Sequence, residues 1–158
     1  MKKIGVVGTG IFGTALALTA ARAGSDVLCW ARKQEVVDVI NQKHINKPYL
    51  PNIPLPEAIH ATNDIAEIFD FSDVVLLTTS AQSTRSVLHL MKPFVKEQTV
   101  IVLCAKGIEV ETGKMLSEIV QEEIPGITTA VLSGPGFAID IAQRKLTSVT
   151  IALSLIHI

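Results

Sequence analysis

The fold is decided by Lys3-Ile4-Gly5-Val6-Val7-Gly8-Thr9-Gly10-Ile11-Phe12-Gly13-Thr14-Ala15-Leu16-Ala17. Its first five residues form a short, mostly β-branched run, the pattern of a strand buried on both faces. Gly8-Thr9-Gly10-Ile11-Phe12-Gly13 then spells G-x-G-x-x-G, and the residues after it read as a helix over 11–23, stopped by Gly24. A glycine triplet alone says little. Between a strand and a helix it has a mechanism: Gly8 allows the tight turn, Gly10 lets a pyrophosphate approach the backbone, and Gly13 lets helix and strand pack closely. The helix start offers unpaired N–H groups and the positive end of its dipole to the phosphates.

The same alternation runs outward along the chain. Strands are predicted at 26–30, 59–62, 73–77, 99–103, 128–132 and 148–153, and helices at 34–42, 80–91, 112–122 and 137–143. Asn63 or Asp64 caps a further helix running to Phe69, and the proline-rich 47–56 stretch reads as a loop. Strands alternating with helices specify an α/β fold: a doubly wound, mostly parallel Rossmann-type sheet with helices on both faces.

Composition narrows the partners. Fourteen Lys+Arg against fifteen Asp+Glu leave a net charge of −1, so bulk charge does not hold a nucleic acid. Aromatics at 4% give no base-stacking surface. An apolar share of 48% argues against disorder, and two cysteines, Cys29 and Cys104, against a disulfide scaffold. Met1-Lys2-Lys3 followed by eighteen uncharged residues imitates a signal peptide, but Gly5, Gly8, Gly10 and Gly13 would weaken such a helix. A cytoplasmic, small-molecule domain with no membrane span is expected.

Further chemistry collects after other strands. A NAD unit places an acid about 20 residues beyond the glycine motif to hold the ribose 2′-OH. Here Trp30 is followed by Ala31-Arg32-Lys33, and Arg32 can pair with a 2′-phosphate through its planar fork. The cofactor expectation is therefore NADPH, with NADH as a second user. Lys106-Gly107 and Ser133-Gly134-Pro135-Gly136-Phe137-Ala138 follow two later strands, and Thr78–Gln82 a third. All would share the carboxyl edge, where open α/β sheets bind ligands. Lys106 suits a phosphate, and Gly134 with Gly136 a second anion. The four histidines lack metal spacing, so no metal is expected.

In this order the motifs resemble the NAD(P)-dependent glycerol-3-phosphate dehydrogenases of bacterial type. The resemblance covers Lys3 to about Ala152 and is most specific at Ala105-Lys106-Gly107-Ile108-Glu109 and Leu132–Ala138. It implies reduction of dihydroxyacetone phosphate to sn-glycerol 3-phosphate, for phospholipid synthesis, by a cytoplasmic enzyme that is a homodimer at full length. It also implies residue roles. Ile11 and Phe12 bind pyrophosphate through their backbone, Arg32 and Lys33 meet the adenosine side, and Lys106 touches cofactor and substrate. Gly134 and Gly136 lie at the substrate and Ala138 at the cofactor.

Three departures accompany it. Gly136 replaces a usual Ser or Thr, and Ser80-Ala81 a usual Pro-Ser. The family's catalytic lysine belongs to a second, helical domain, so no catalytic residue is expected in this chain, which reads as the cofactor-binding part of a truncated enzyme. Residues 1–152 are expected to form the NAD(P)-binding domain, and 153–158 a tail without a family match. Two alternatives stay open: another two-domain dehydrogenase of the ketopantoate or hydroxyacid kind, and a dinucleotide-binding module without catalysis.

Overall fold

A computed structural model describes residues 2–153, so most of the 153–158 tail lies outside the described residues. Among the described residues seven strands form one sheet: β1 (Lys3–Val7), β2 (Asp26–Trp30), β5 (Ile59–Thr62), β6 (Val74–Leu77), β7 (Val100–Leu103), β8 (Thr128–Ser133) and β9 (Thr150–Leu153). Their order is β5-β2-β1-β6-β7-β8-β9, parallel throughout except for β9, which runs antiparallel to β8. The chain winds outward in both directions from β1, so β1 and its neighbour β6 mark the point where the strand order reverses.

Helices cover both faces. On one, α1 (Ile11–Arg22), α2 (Gln34–Lys43) and α6 (Ala138–Ala142) bury Ala15, Leu18, Ile40 and Ile141 against Val6, Val27 and Cys29. On the other, α3 (Ile65–Phe71), α4 (Thr84–Met91) and α5 (Leu116–Glu123) bury Ile68, Phe69, Leu88, Met91 and Ile119 against Val7, Val75, Leu77 and Ile101. The β-branched runs sit between two apolar layers, which is why they show no polar alternation. Asp64 caps α3 by accepting from the Ala66 N–H at 2.9 Å.

Three segments differ from expectation. The proline-rich stretch supplies β4 (Leu50–Pro54), which pairs antiparallel with β3 (Ile45–Asn46) just before it. Leu50 and Leu55 are buried and pin this small ribbon to the core, while its prolines occupy a two-stranded edge that needs few N–H donors. The helix predicted over 112–122 begins only at Leu116. Gly113 at φ +70° closes a tight turn, with Glu109 N–H on Lys114 O, and Met115 is left 61% exposed. The helix predicted over 80–91 opens as a 3₁₀ turn, Ala81–Ser83, before α4.

Candidate functional site

The carboxyl ends of β1 and β6 open a crevice floored by the glycine loop. Gly8 sits at φ +112°, a conformation L side chains rarely adopt. A Cβ at Gly13 would overlap the Gly8 carbonyl oxygen and approach Thr78 Oγ1 to 2.5 Å. Helix α1 and β1 therefore meet without room for a methyl group. A Cβ at Gly10 would have no atom within 4 Å. The space in front of Gly10 is open, and the first helical bond is Thr14 N–H to Gly10 O at 2.9 Å, so the N–H groups of Ile11, Phe12 and Gly13 precede the helical ladder. No acidic side chain stands in this first turn. Such a cradle fits a phosphate.

Two side chains lock the loop. Thr78 Oγ1 donates toward Val7 O and Gly8 O, at 3.1 and 2.9 Å. Fully buried Asn46, from β3, donates from Nδ2 to Thr9 O at 2.9 Å and to Thr14 Oγ1 at 2.7 Å. Sequence reasoning gave Asn46 no role, because its partners lie more than thirty residues away.

Two cavities adjoin along the crevice and share Thr78, Thr79 and Ser80. One, of about 500 Å³, includes Gly8, Gly10, Trp30, Arg32 and Tyr49. The other, of about 390 Å³, includes Phe12, Lys106, Gly136 and Ala138. The buried Thr79 hydroxyl has no hydrogen-bond partner among the described residues, so the wall between the cavities carries a free polar atom. Sequence-predicted residues thus gather into two neighbouring groups. Ile11, Gly13, Lys33 and Gly134 line neither cavity. Ile11 and Gly13 belong to the cradle through their backbone, and Lys33 is the exposed N-cap of α2. Gly134 accepts from Lys106 Nζ at 3.3 Å.

The Gly136 departure has a local counterpart. A Cβ there would overlap Thr147 Oγ1, so the Thr147 hydroxyl stands where a Ser or Thr at 136 would put its side chain. Cys104, at the edge of the smaller cavity, is 3% exposed, and burial pushes its thiol, like that of Cys29, up to about 12. Both are apolar filling. Among the described residues no group of three His, Cys, Asp or Glu is placed to hold a metal, and no helix is long and apolar enough to cross a membrane.

A strand–glycine turn–helix at the switch point of a sheet ordered β5-β2-β1-β6-β7-β8-β9, with a cation after β2 and another after β7, defines a dinucleotide-binding domain of Rossmann type. Comparison with known proteins makes this specific. The chain belongs to the family described as NAD-dependent glycerol-3-phosphate dehydrogenase N-terminus, whose sequence model matches residues 3–157. It is 46% identical over 152 residues to glycerol-3-phosphate dehydrogenase [NAD(P)+] of Paramagnetospirillum magneticum, covering 96% of this chain and 55% of that protein. It is also 46% identical to the Maricaulis maris enzyme of the same name, covering 96% and 45%. The crystal structure of glycerol-3-phosphate dehydrogenase from Coxiella burnetii superposes with a TM-score of 0.91 at 32% identity, covering 98% of this chain and 47% of that one. The chain spans about half the length of the curated relatives it matches.

Proposed function

We propose that residues 1–152 form the NAD(P)-binding domain of an enzyme that reduces dihydroxyacetone phosphate to sn-glycerol 3-phosphate, with NADPH preferred and NADH accepted. One observation carries the reading. The phosphate cradle at Gly8–Gly13 and the Lys106–Gly136–Ala138 group face two cavities that share one wall, Thr78–Ser80. A dinucleotide is long enough to occupy both, with its pyrophosphate at the α1 terminus.

The chemistry supplied by a bound nicotinamide is hydride transfer. This chain's residues bind and orient. Backbone N–H groups of Ile11 and Phe12 hold the pyrophosphate, with Gly10 giving it access. Arg32, helped by Lys33, meets the adenosine side and favours a 2′-phosphate through charge-assisted hydrogen bonds. Lys106 places a cation at the mouth of the smaller cavity for the substrate phosphate and the cofactor, and Gly134, Gly136 and Ala138 form the backbone beside it. Proton donation to the ketone oxygen belongs to a lysine in the part of the relatives that lies beyond the matched stretch. The setting is cytoplasmic, the partner is a three-carbon phosphate, and the assembled enzyme is a homodimer without a nucleic-acid partner.

The test is titration calorimetry of the chain with NADPH, NADH and dihydroxyacetone phosphate. NADPH binding that is lost in Lys106→Ala/Arg32→Ala, and dihydroxyacetone phosphate binding that appears only with NADPH present, support the reading. Absence of any dinucleotide binding by the folded chain overturns it.

A further inference from the structure

Lys106 heads an exposed loop between β7 and α5, with Gly107 at φ +112° and Gly113 at +70°. Two glycines in the left-handed region leave such a loop free to move unless side chains tie it down. Two ties are present. The first is Gln82. Its Nε2 donates to Ile108 O at 2.7 Å, and its Oε1 accepts from Val110 N–H at 2.9 Å. One side-chain amide thus pairs with both edges of the loop backbone, as a neighbouring strand would. The second is Arg85, whose guanidinium forks onto Glu109 at 2.9 and 2.8 Å and also reaches Glu123 and Glu122 of α5. Glu109 is buried, and its second oxygen accepts from Thr112 Oγ1.

Both ties come from the segment that lines the cavities. Ala81 contacts the smaller cavity, and a Cβ on Gly107 would meet the Ala81 methyl at 3.6 Å. Gln82 follows Ala81 in the same 3₁₀ turn. Ser80, one residue earlier, lines both cavities. The wall shared by the two cavities and the bracket that holds the lysine loop belong to one continuous segment, residues 78–85.

We propose that Gln82 and the Arg85–Glu109 pair are positioning residues for Lys106, fixing its backbone so that the ammonium is presented at the mouth of the smaller cavity. This inference rests on the reading of Lys106 as a ligand-binding residue, and the experiment separates the two. NADPH affinity is measured by calorimetry for the chain, for Lys106→Ala, for Gln82→Ala and for the double variant. Arg85→Lys, which keeps a cation but loses the fork, is measured in both backgrounds. Gln121→Ala is the control, since Gln121 makes an equivalent two-sided clamp on Ile127 O and Gly126 N–H far from the crevice.

Gln82 is exposed, so its removal leaves the fold standing. Gln82→Ala is expected to weaken NADPH roughly 3- to 30-fold, inside the roughly 2- to 150-fold span for directly coupled neighbours. In the Lys106→Ala background it adds no further loss. Arg85→Lys follows the same pattern, Gln121→Ala leaves affinity unchanged, and the Val110 amide exchanges faster in Gln82→Ala. A loss in Lys106→Ala with full affinity in Gln82→Ala overturns the positioning role alone. A Gln82 effect that persists without Lys106 overturns it too, since Gln82 would then act on the cavity directly. Full affinity in Lys106→Ala overturns the underlying reading and the inference with it.

Discussion

Gly10 and Gly13 stand three residues apart in one motif, and the structure assigns them opposite vulnerabilities. At Gly10 an added Cβ meets nothing within 4 Å, and the residue's φ of −68° is open to any side chain. Gly10→Val therefore costs the fold little: replacing glycine at an N-cap with an apolar residue loses ~1 kcal/mol, or roughly 2–4 °C in melting temperature for a domain this size. The new methyl groups project into the space before the Ile11 and Phe12 N–H groups. Losing one charge-assisted hydrogen bond removes ~1.5–3 kcal/mol, so NADPH binding should weaken about 10- to 100-fold.

Gly13→Ala is the reverse case. Its methyl group overlaps the backbone oxygen of Gly8 and comes within 2.5 Å of Thr78 Oγ1. A backbone atom cannot step aside as a flexible side chain can, so the cost lies at the upper end of the ~1–3 kcal/mol range for overpacking. The higher helix propensity of alanine returns under ~1 kcal/mol of this. Melting should fall by roughly 5–8 °C. Thermal denaturation and calorimetry on the two variants decide the matter. A Gly10→Val chain that bound NADPH as tightly as the parent would refute the glycine loop as the phosphate site. A Gly13→Ala chain melting with the parent would refute the close helix–strand contact.

Arg32→Ala should weaken NADPH about 10- to 100-fold through the lost 2′-phosphate contact and leave NADH nearly unchanged; equal losses would make Arg32 structural. Hydrogen bonds from Arg85 hold the Glu109 carboxyl down at about 2. A depressed carboxylate stabilises above its unfolded pKa of ~4.3, and that stability is lost as pH falls toward 2. The gap in melting temperature between the parent and Glu109→Gln should accordingly be wide at pH 6 and close between about pH 5 and 2; a constant gap would show that Glu109 gives no such stabilisation. Under the proposed function, which places general acid help worth ~10²–10⁴-fold on a lysine outside residues 1–152, NADPH oxidation with dihydroxyacetone phosphate should stay near background for the 158-residue polypeptide. Substantial turnover would point to Lys106 or Tyr49 as the proton donor.

The half of the site that was legible in the sequence is the half built from backbone. Where N–H groups do the binding, the chain must come close to itself and to the ligand, and glycine at fixed spacing is the local trace of that approach. Gly8, Gly10 and Gly13 therefore announce the cradle within six residues. The parallel strands announce themselves too, because burial on both faces leaves unbroken Val, Ile and Leu runs. The reversal at β9 has no such trace. Helix α6 spans five residues and is held across α1 by Arg22, which donates to Ile141 O and Ala142 O. Arg144 then turns the chain at φ +63°, so the returning strand pairs antiparallel where alternation alone implies another parallel one.

The side-chain half of the site was legible only as position: Arg32 and Lys106 stand just after strands, while what holds such side chains in place left no local trace. Lys106 is one of many exposed lysines until something fixes it, and what fixes it lies elsewhere. Gln82 reaches the loop from 26 and 28 residues away and Arg85 reaches Glu109 from 24, while Asn46 reaches the glycine loop from 37. Polar side chains bridging such distances leave no periodicity, because each contact is used once. They pair only when the sheet has brought β1, β6 and β7 side by side. In this fold the glycines of the phosphate cradle are set by local spacing, while its bracing by Asn46 and Thr78 and the cation beside it are set by topology, so substitutions at the glycines should act on binding directly, and those at Gln82 and Arg85 through Lys106.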